Sequence, residues 1–340
     1  MGDAVSGCDA SMGDAVSDAS VGDAVSSVRV GDAVSRASVG DIVSGSLSLL
    51  VIGGHGQLGS EVAAACRAGS VLAPGSGELD ITDGQQARDA VAALVRGAAG
   101  RRPVVINTAA YTAVDRAETD VDQAFRVNAI GPGLVAAACA EFSVPLLHVS
   151  TDYVFAGESS RPYEPEDPTG PRSVYGRTKL AGERAVLSSG ARGFVVRTAW
   201  LYGAAGSNFV KAIARLERSQ PTLPVVADQR GSPTWSADLA LGLVELAGRA
   251  DRLAPGVLHC TNSGETTWFE FARAVLEELG ADPERVQPCP SAQFPRAAPR
   301  PAYSVLSGKA WAGAGLTPLR GWREALAAAF ARNRPALVAA

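Results

Sequence analysis

The chain has 340 residues, more than one typical domain of roughly 100–200, so it can form one large α/β domain or two joined ones around a sizeable core. With 31 Lys+Arg against 35 Asp+Glu the formal net charge is −4, which gives no electrostatic reason to hold nucleic acid, and no such partner is expected. Five scattered cysteines without a C-x-x-C pair argue against a disulfide framework or a zinc site, and with no apolar run of roughly 18–20 residues and no signal-peptide pattern a cytoplasmic protein without a membrane partner is expected.

Residues 1–46 are a different material from the rest. The pentad GDAVS occurs at 2–6, 13–17, 22–26 and 31–35 and returns as GDIVS at 40–44. The copies carry no aromatic residue and few large apolar ones, too little burial to offset ordering entropy, so a low-complexity, disordered tail is expected. From Leu47 onward, short apolar runs at 47–52, 103–106, 145–149 and 193–198 alternate with helical spacing at 58–68, 83–97, 118–142 and 175–189. Such βαβ alternation predicts a parallel sheet covered on both faces. After residue 200 helical patterns appear at 207–219, 236–249, 267–280 and 322–332, with a Pro-rich connector at 287–301, which predicts a smaller second lobe threaded back against the first.

The first run leads straight into Gly53-Gly54-His55-Gly56-Gln57-Leu58-Gly59 and then a helix. Glycines spaced in this way give a tight turn, a close backbone approach to a pyrophosphate and close helix–strand packing, while the helix N-terminus offers free N–H groups. A dinucleotide site in a Rossmann-like, doubly wound sheet over 47–200 is therefore expected, with 201–335 as a mainly substrate-binding α/β lobe. His55 reads as an exposed loop residue. The second strand ends Val71-Leu72-Ala73-Pro74-Gly75 with no carboxylate to repel a 2′-phosphate, so NADPH is expected, with NADH possible. Asp80 follows, either on the adenine side or as a helix cap.

Ser150-Thr151-Asp152 closes the strand at 145–149, and Tyr175-Gly176-Arg177-Thr178-Lys179 opens a helix 24 residues beyond Thr151. Tyr and Lys at i, i+4 share one helix face. An ammonium about 4 Å from the phenol would pull its titration from about 10 toward 7 at an effective dielectric of about 20, making Tyr175 a usable proton donor. Only three lysines occur in the chain, so a chance match is less frequent than usual.

These motifs, with Val105–Glu118, STDYVFAG at 150–157, VYGRTKLAGE at 174–183, RTAWLYG at 197–203, DQRGSPTW at 228–235 and RPAYSVL at 300–306, resemble the extended short-chain dehydrogenase/reductases, and within them the dTDP-4-dehydrorhamnose reductases. The resemblance spans about 47 to 330. It implies an oxidoreductase of dTDP-rhamnose biosynthesis that reduces the 4-keto group of a dTDP-sugar, dTDP-4-dehydro-L-rhamnose. It also implies a role for each matching residue. Gly53, Gly56, Gln57, Leu58 and Gly59 would meet the cofactor pyrophosphate, Asp80 and Ile81 the adenine, and Ala110, Tyr111 and Thr112 the nicotinamide side. Tyr175, Lys179 and Thr151 would be catalytic, and Thr151, Asp152 and Trp200 would hold the sugar, unless Thr151 and Asp152 are strand-end caps and Trp200 ordinary core. Tyr153 stands where related dehydratases carry a Glu, which disfavours dehydration. Glu61 and Glu324 match two glutamates through which some relatives bridge a homodimer with magnesium, but Arg218-Ser219-Gln220 lacks a further Glu, so no metal is assigned and a homodimer stays open. Two alternatives also stay open: a reductase or epimerase of another nucleotide sugar, and a non-catalytic NADP-binding subunit like that of methionine adenosyltransferase.

Overall fold

The structure, a computed structural model, describes residues 46–66 and 70–339, so the repeat tail lies, Ser46 apart, outside the described residues. Strand β1 (Leu47–Ile52) is buried along its whole length, as a strand covered on both faces must be. It is followed by α1 (Gln57–Ala64), β2 (Val71–Leu72), α2 (Gly84–Arg96) and β3 (Arg102–Asn107). Asp83 starts α2 by accepting the N–H groups of Gln85 and Gln86.

The helical spacing at 118–142 takes the form of α3 (Val121–Phe125), a π turn at Arg126–Ile130 and α4 (Gly131–Glu141). Pro132 at the start of α4 has no N–H to give the preceding turn, and the wider π turn accommodates it. Next come β4 (Leu146–Thr151), α5 (Val174–Ser188), capped by the Ser173 hydroxyl accepting from Gly176 N–H, and β5 (Gly193–Thr198). The remainder comprises β6 (Leu201–Tyr202), α6 (Phe209–Ser219), β7 (Leu223–Val226), β8 (Arg230–Gly231), β9 (Thr234–Trp235), α7 (Ser236–Arg249), β10 (Gly256–His259), β11 (Thr266–Thr267), α8 (Trp268–Leu279), β12 (Val286–Cys289), α9 (Lys309–Gly313) and α10 (Trp322–Val338).

Six strands form one sheet in the order β10-β5-β4-β3-β1-β2, every pair parallel. Winding runs one way from β1 to β2 and the other way from β3 onward, so a crevice opens beyond the ends of β1 and β3, where such sheets place their ligands. Alternate residues of β1 feed two cores. Leu49 and Val51 pack with Leu239, Leu243 and Leu246 of α7, while Leu50 and Ile52 pack with Val91 of α2 and Val135 of α4. A further core joins α6, α8 and α10 through Ile213, Phe271, Val275, Leu326 and Phe330. The division expected at residue 200 is therefore not a clean cut: α7 covers the main sheet and β10 is its edge strand, because the chain returns to bury a face that residues 47–200 leave open.

Candidate active site

At the crevice, Gly53 has φ +80°, a conformation that side chains rarely adopt, and a methyl on Gly59 would sit 2.2 Å from the Gly53 carbonyl oxygen. The protein's own backbone therefore demands these two glycines. Gly56 differs: a methyl there would meet only the Gly53 carbonyl oxygen, at 3.2 Å. It is the N-cap of α1, no side chain caps that helix, and the positive end of the helix dipole faces the turn. Gln57 Oε1 accepts from Asn208 Nδ2 at 2.8 Å, and Leu58 is buried.

The second strand brings a carboxylate that its end residues do not show. Glu78 folds back so that Oε2 accepts the Gly75 N–H at 2.8 Å and lies 3.5 Å from His55 Nε2. The Gly75-Ser76-Gly77 spacer was the only signal for this return. An open cavity of about 560 Å³ lies alongside, lined by His55, Ala73, Pro74, Glu78 and Leu79 among others. Asp80 is exposed and holds Thr82, accepting from its N–H and hydroxyl, so the helix-cap alternative falls to Asp83 instead. Ile81 is buried against Gly131, where a methyl would lie 2.7 Å from its Cδ1.

Ala110, Tyr111 and Thr112 follow β3. The Tyr111 N–H donates to Asn128 Oδ1 at 2.8 Å, and Asn128 Nδ2 donates to Tyr111 O at 3.1 Å and Thr178 Oγ1 at 3.0 Å. Asn128, set on the π turn, thus ties this loop to α5. On α5, Tyr175 stands beside Thr151, and burial, aided by the charge of Asp152, pushes the phenol up to about 12. The expected pull of Lys179 toward 7 is not found. Lys179 Nζ donates to the Val149 carbonyl at 2.8 Å and lies 3.4 Å from His148 Nε2, so the amine is turned to strand β4 rather than to the phenol. Burial lowers its own titration to about 8, with the Glu183 charge opposing.

Asp152 is buried, accepts from Thr151 Oγ1 through Oδ1 at 3.0 Å, and is raised to about 6 by burial. Its Oδ2 has no partner; Ser304 lies near enough to favour the ionised carboxylate but closes no hydrogen bond of its own. Tyr153 meets Tyr175 edge-on at 5.5 Å. Trp200 has φ +47° and stacks on Trp268 at 3.5 Å between centroids, while a methyl on Gly231 would lie 2.4 Å from its ring. Trp268, Ser304 and Asn208 were not singled out from sequence, because only the fold brings these distant segments to the crevice. Glu61, one of the two glutamates weighed for a metal, pairs with Arg332 at 3.3 Å. Among the described residues no helix is long and apolar enough to cross a membrane.

Residues 47–334 match the family described as the RmlD substrate binding domain. A dTDP-4-dehydrorhamnose reductase of Mycolicibacterium smegmatis is 49% identical over 287 residues, covering 83% of this chain and 85% of the relative. A dTDP-4-keto-6-deoxy-D-glucose reductase of Streptomyces niveus is 45% identical over 284 residues, covering 83% of this chain and 96% of the relative. Among solved structures, a dTDP-4-dehydrorhamnose reductase of Bacillus anthracis in complex with NADP superposes with a TM-score of 0.78 at 34% identity, covering 84% of this chain and 98% of the other. The chain belongs to the RmlD substrate binding domain family.

Proposed function

We propose that the chain is an NADPH-dependent oxidoreductase that reduces the 4-keto group of dTDP-4-dehydro-L-rhamnose to dTDP-L-rhamnose. The observation that carries this reading is the convergence at one sheet end of the uncapped turn at Gly56, Tyr175 beside Thr151 and the unpartnered Oδ2 of Asp152, in a chain about half identical to reductases of that name.

The residues fit a dinucleotide. A methyl at Gly56 would meet a single tight contact, the Gly53 carbonyl oxygen at 3.2 Å, and close approach of a pyrophosphate gives a further reason for glycine there, with the N–H groups of Gln57 and Leu58 as donors. Gly53 and Gly59 shape the turn at the pyrophosphate, Asp80 and Ile81 would meet the adenine, and Ala110, Tyr111 and Thr112 the nicotinamide side. NADPH, when bound, supplies the hydride taken up by the keto carbon. Tyr175, protonated at any working pH because its titration lies near 12, gives its proton to the developing alkoxide. Thr151 hydrogen-bonds the same oxygen, and Asp152 Oδ2 accepts from a sugar hydroxyl. Lys179 offers N–H groups to the cofactor ribose, and Trp200 packs against the sugar. Magnesium has no assigned step, since Glu61 is engaged by Arg332 and residues 218–220 carry no carboxylate. The cofactor and substrate class support a cytoplasmic setting.

The likeness to the Streptomyces niveus reductase favours one second reading, a reductase of a different dTDP-4-keto sugar. Consumption of NADPH and NADH with a panel of dTDP-, GDP- and UDP-keto sugars, with product configuration read by NMR, separates the two. Absence of turnover on every member would leave only a binding role.

A further inference from the structure

A buried chain of side chains runs beneath the site and takes no part in the steps above. Asn107, the last residue of β3, is the register partner of His148 in β4, and both are fully buried. Asn107 Oδ1 accepts the Ala109 N–H at 3.0 Å, which fixes the amide orientation and leaves Nδ2 facing His148 Nδ1 at 3.2 Å. Nδ2 can only donate, so Nδ1 must hold a lone pair. Reversing the amide would set Nδ2 against the Ala109 N–H, two donors in a buried place, and forfeit that bond. Burial holds the imidazole well below its usual titration, so it is neutral, and with Nδ1 bare its one proton must sit on Nε2.

Nε2 points at Lys179 Nζ, 3.4 Å away. An ammonium there would oppose an N–H donor with another donor, whereas a neutral amine would give one N–H to the Val149 carbonyl and receive Nε2–H on its lone pair. We propose that His148 is a positioning residue, locked by Asn107 as the Nε2–H tautomer, that holds the Lys179 amine against β4 by favouring its neutral, accepting form. The groups facing Lys179 are His148 and the Val149 carbonyl from β4 and, from α5 itself, Glu183, whose charge alone works in the opposite direction. The consequence for catalysis rests on the reading of Lys179 as part of the reacting site: His148 sets the pH at which that residue carries charge beside Tyr175. The tautomer itself does not depend on that reading.

With three histidines and three lysines in the chain, both groups can be observed singly. In the ligand-free full-length protein at neutral pH, long-range proton–nitrogen spectra of ¹⁵N-histidine should show His148 protonated on Nε2 with a bare Nδ1; a proton on Nδ1 overturns the proposal without any variant. With ¹³C-labelled lysine, assigned by loss of the signal in Lys179→Met, Lys179 should titrate far below the ordinary lysine value. His148→Phe, which removes the opposing donor, should raise the proton affinity of Lys179 at least about tenfold and shift the alkaline limb of the rate profile with it. An unchanged or lowered midpoint in a folded His148→Phe protein also overturns it. If His148→Phe does not fold, the wild-type tautomer alone decides. Full turnover by Tyr175→Phe alongside an Nε2–H tautomer would remove the proposed site and leave this inference standing.

Discussion

Replacing Tyr175 with Phe removes one hydroxyl and almost no volume. The ring keeps its edge-on packing with Tyr153. Losing the phenol's polar contacts costs no more than one hydrogen bond's worth, about 0.5–1.5 kcal/mol, so stability should change by no more than that. The chemical step loses its proposed general acid, a group that ordinarily contributes about 10²–10⁴ in rate, or roughly 3–5 kcal/mol of barrier. The buried phenol titrates near 12, so it is already protonated throughout the range in which the protein would be assayed, and the loss should be uniform from about pH 6 to 9. Single-turnover reduction, followed by NADPH fluorescence beside a separate titration of NADPH affinity, isolates the effect. Unimpaired turnover, or a deficit that vanishes at one end of the pH range, would show that another group delivers the proton.

Four further outcomes follow from the same geometry. Gly56→Ala, whose methyl meets the Gly53 carbonyl oxygen at 3.2 Å, should lower the melting temperature only slightly and weaken NADPH binding at least about tenfold, whereas Gly59→Ala, with its methyl 2.2 Å from the same oxygen, should disrupt folding itself; calorimetric melting with and without NADPH distinguishes them. Glu183→Ala strands the buried Arg197 guanidinium and takes the acceptor from Ser150, costing about 3–5 kcal/mol and lowering the melting temperature on the order of 10 °C. Glu78→Gln removes the carboxylate beside Gly75 and should shift the NADPH-to-NADH affinity ratio upward roughly tenfold, the shift fading as salt screens this exposed side chain. Lys179→Met should lose both rate and NADPH affinity. Because the native titration of Lys179 lies at about 8, below the unfolded value, the folded state binds fewer protons between about 8 and 10.4, and wild-type stability should rise with pH across that window by about 3 kcal/mol relative to Lys179→Met, as denaturant midpoints would show.

The first half of the fold was legible because each strand is a short apolar run followed by helical spacing, and β1, β5, α2 and α5 lie within a residue or two of their expected bounds. The glycine turn, and the placing of Tyr175 and Lys179 on one helix, were legible for the same reason, since that geometry is local. What escaped is long-range. No local pattern says that β10 returns to pair with β5, or that Trp268 crosses the chain to cover Trp200. The π turn at Arg126–Ile130 has no distinct composition, yet it is what turns Asn128 toward Tyr111 and Thr178. The position of Lys179 also escaped, because the i, i+4 spacing sets the helix face but not which of several neighbours a long side chain takes.

Beneath the crevice, several buried polar groups are joined in hydrogen-bonded networks. Ser150 donates to Glu183, which also binds Arg197, and Arg197 in turn reaches the Pro165 carbonyl and lies over the Phe155 ring. Asn128 joins Tyr111 to Thr178, and Asn107 joins Ala109 to His148. Burying polar atoms without partners costs about 1–3 kcal/mol each, so closed networks of this kind are tolerated only in one geometry. Each ends on a residue assigned to the reaction or directly beside one: Ser150 beside Thr151, Thr178 beside Lys179, Ala109 beside Ala110. Asp152 Oδ2 and Ser304 Oγ, by contrast, are left without partners at the site. A floor that can adopt one arrangement, carrying acceptors and donors that the protein itself does not satisfy, is what fixed orientation of a bound hydroxylated ring requires, and it places the cost of that orientation in folding rather than in binding.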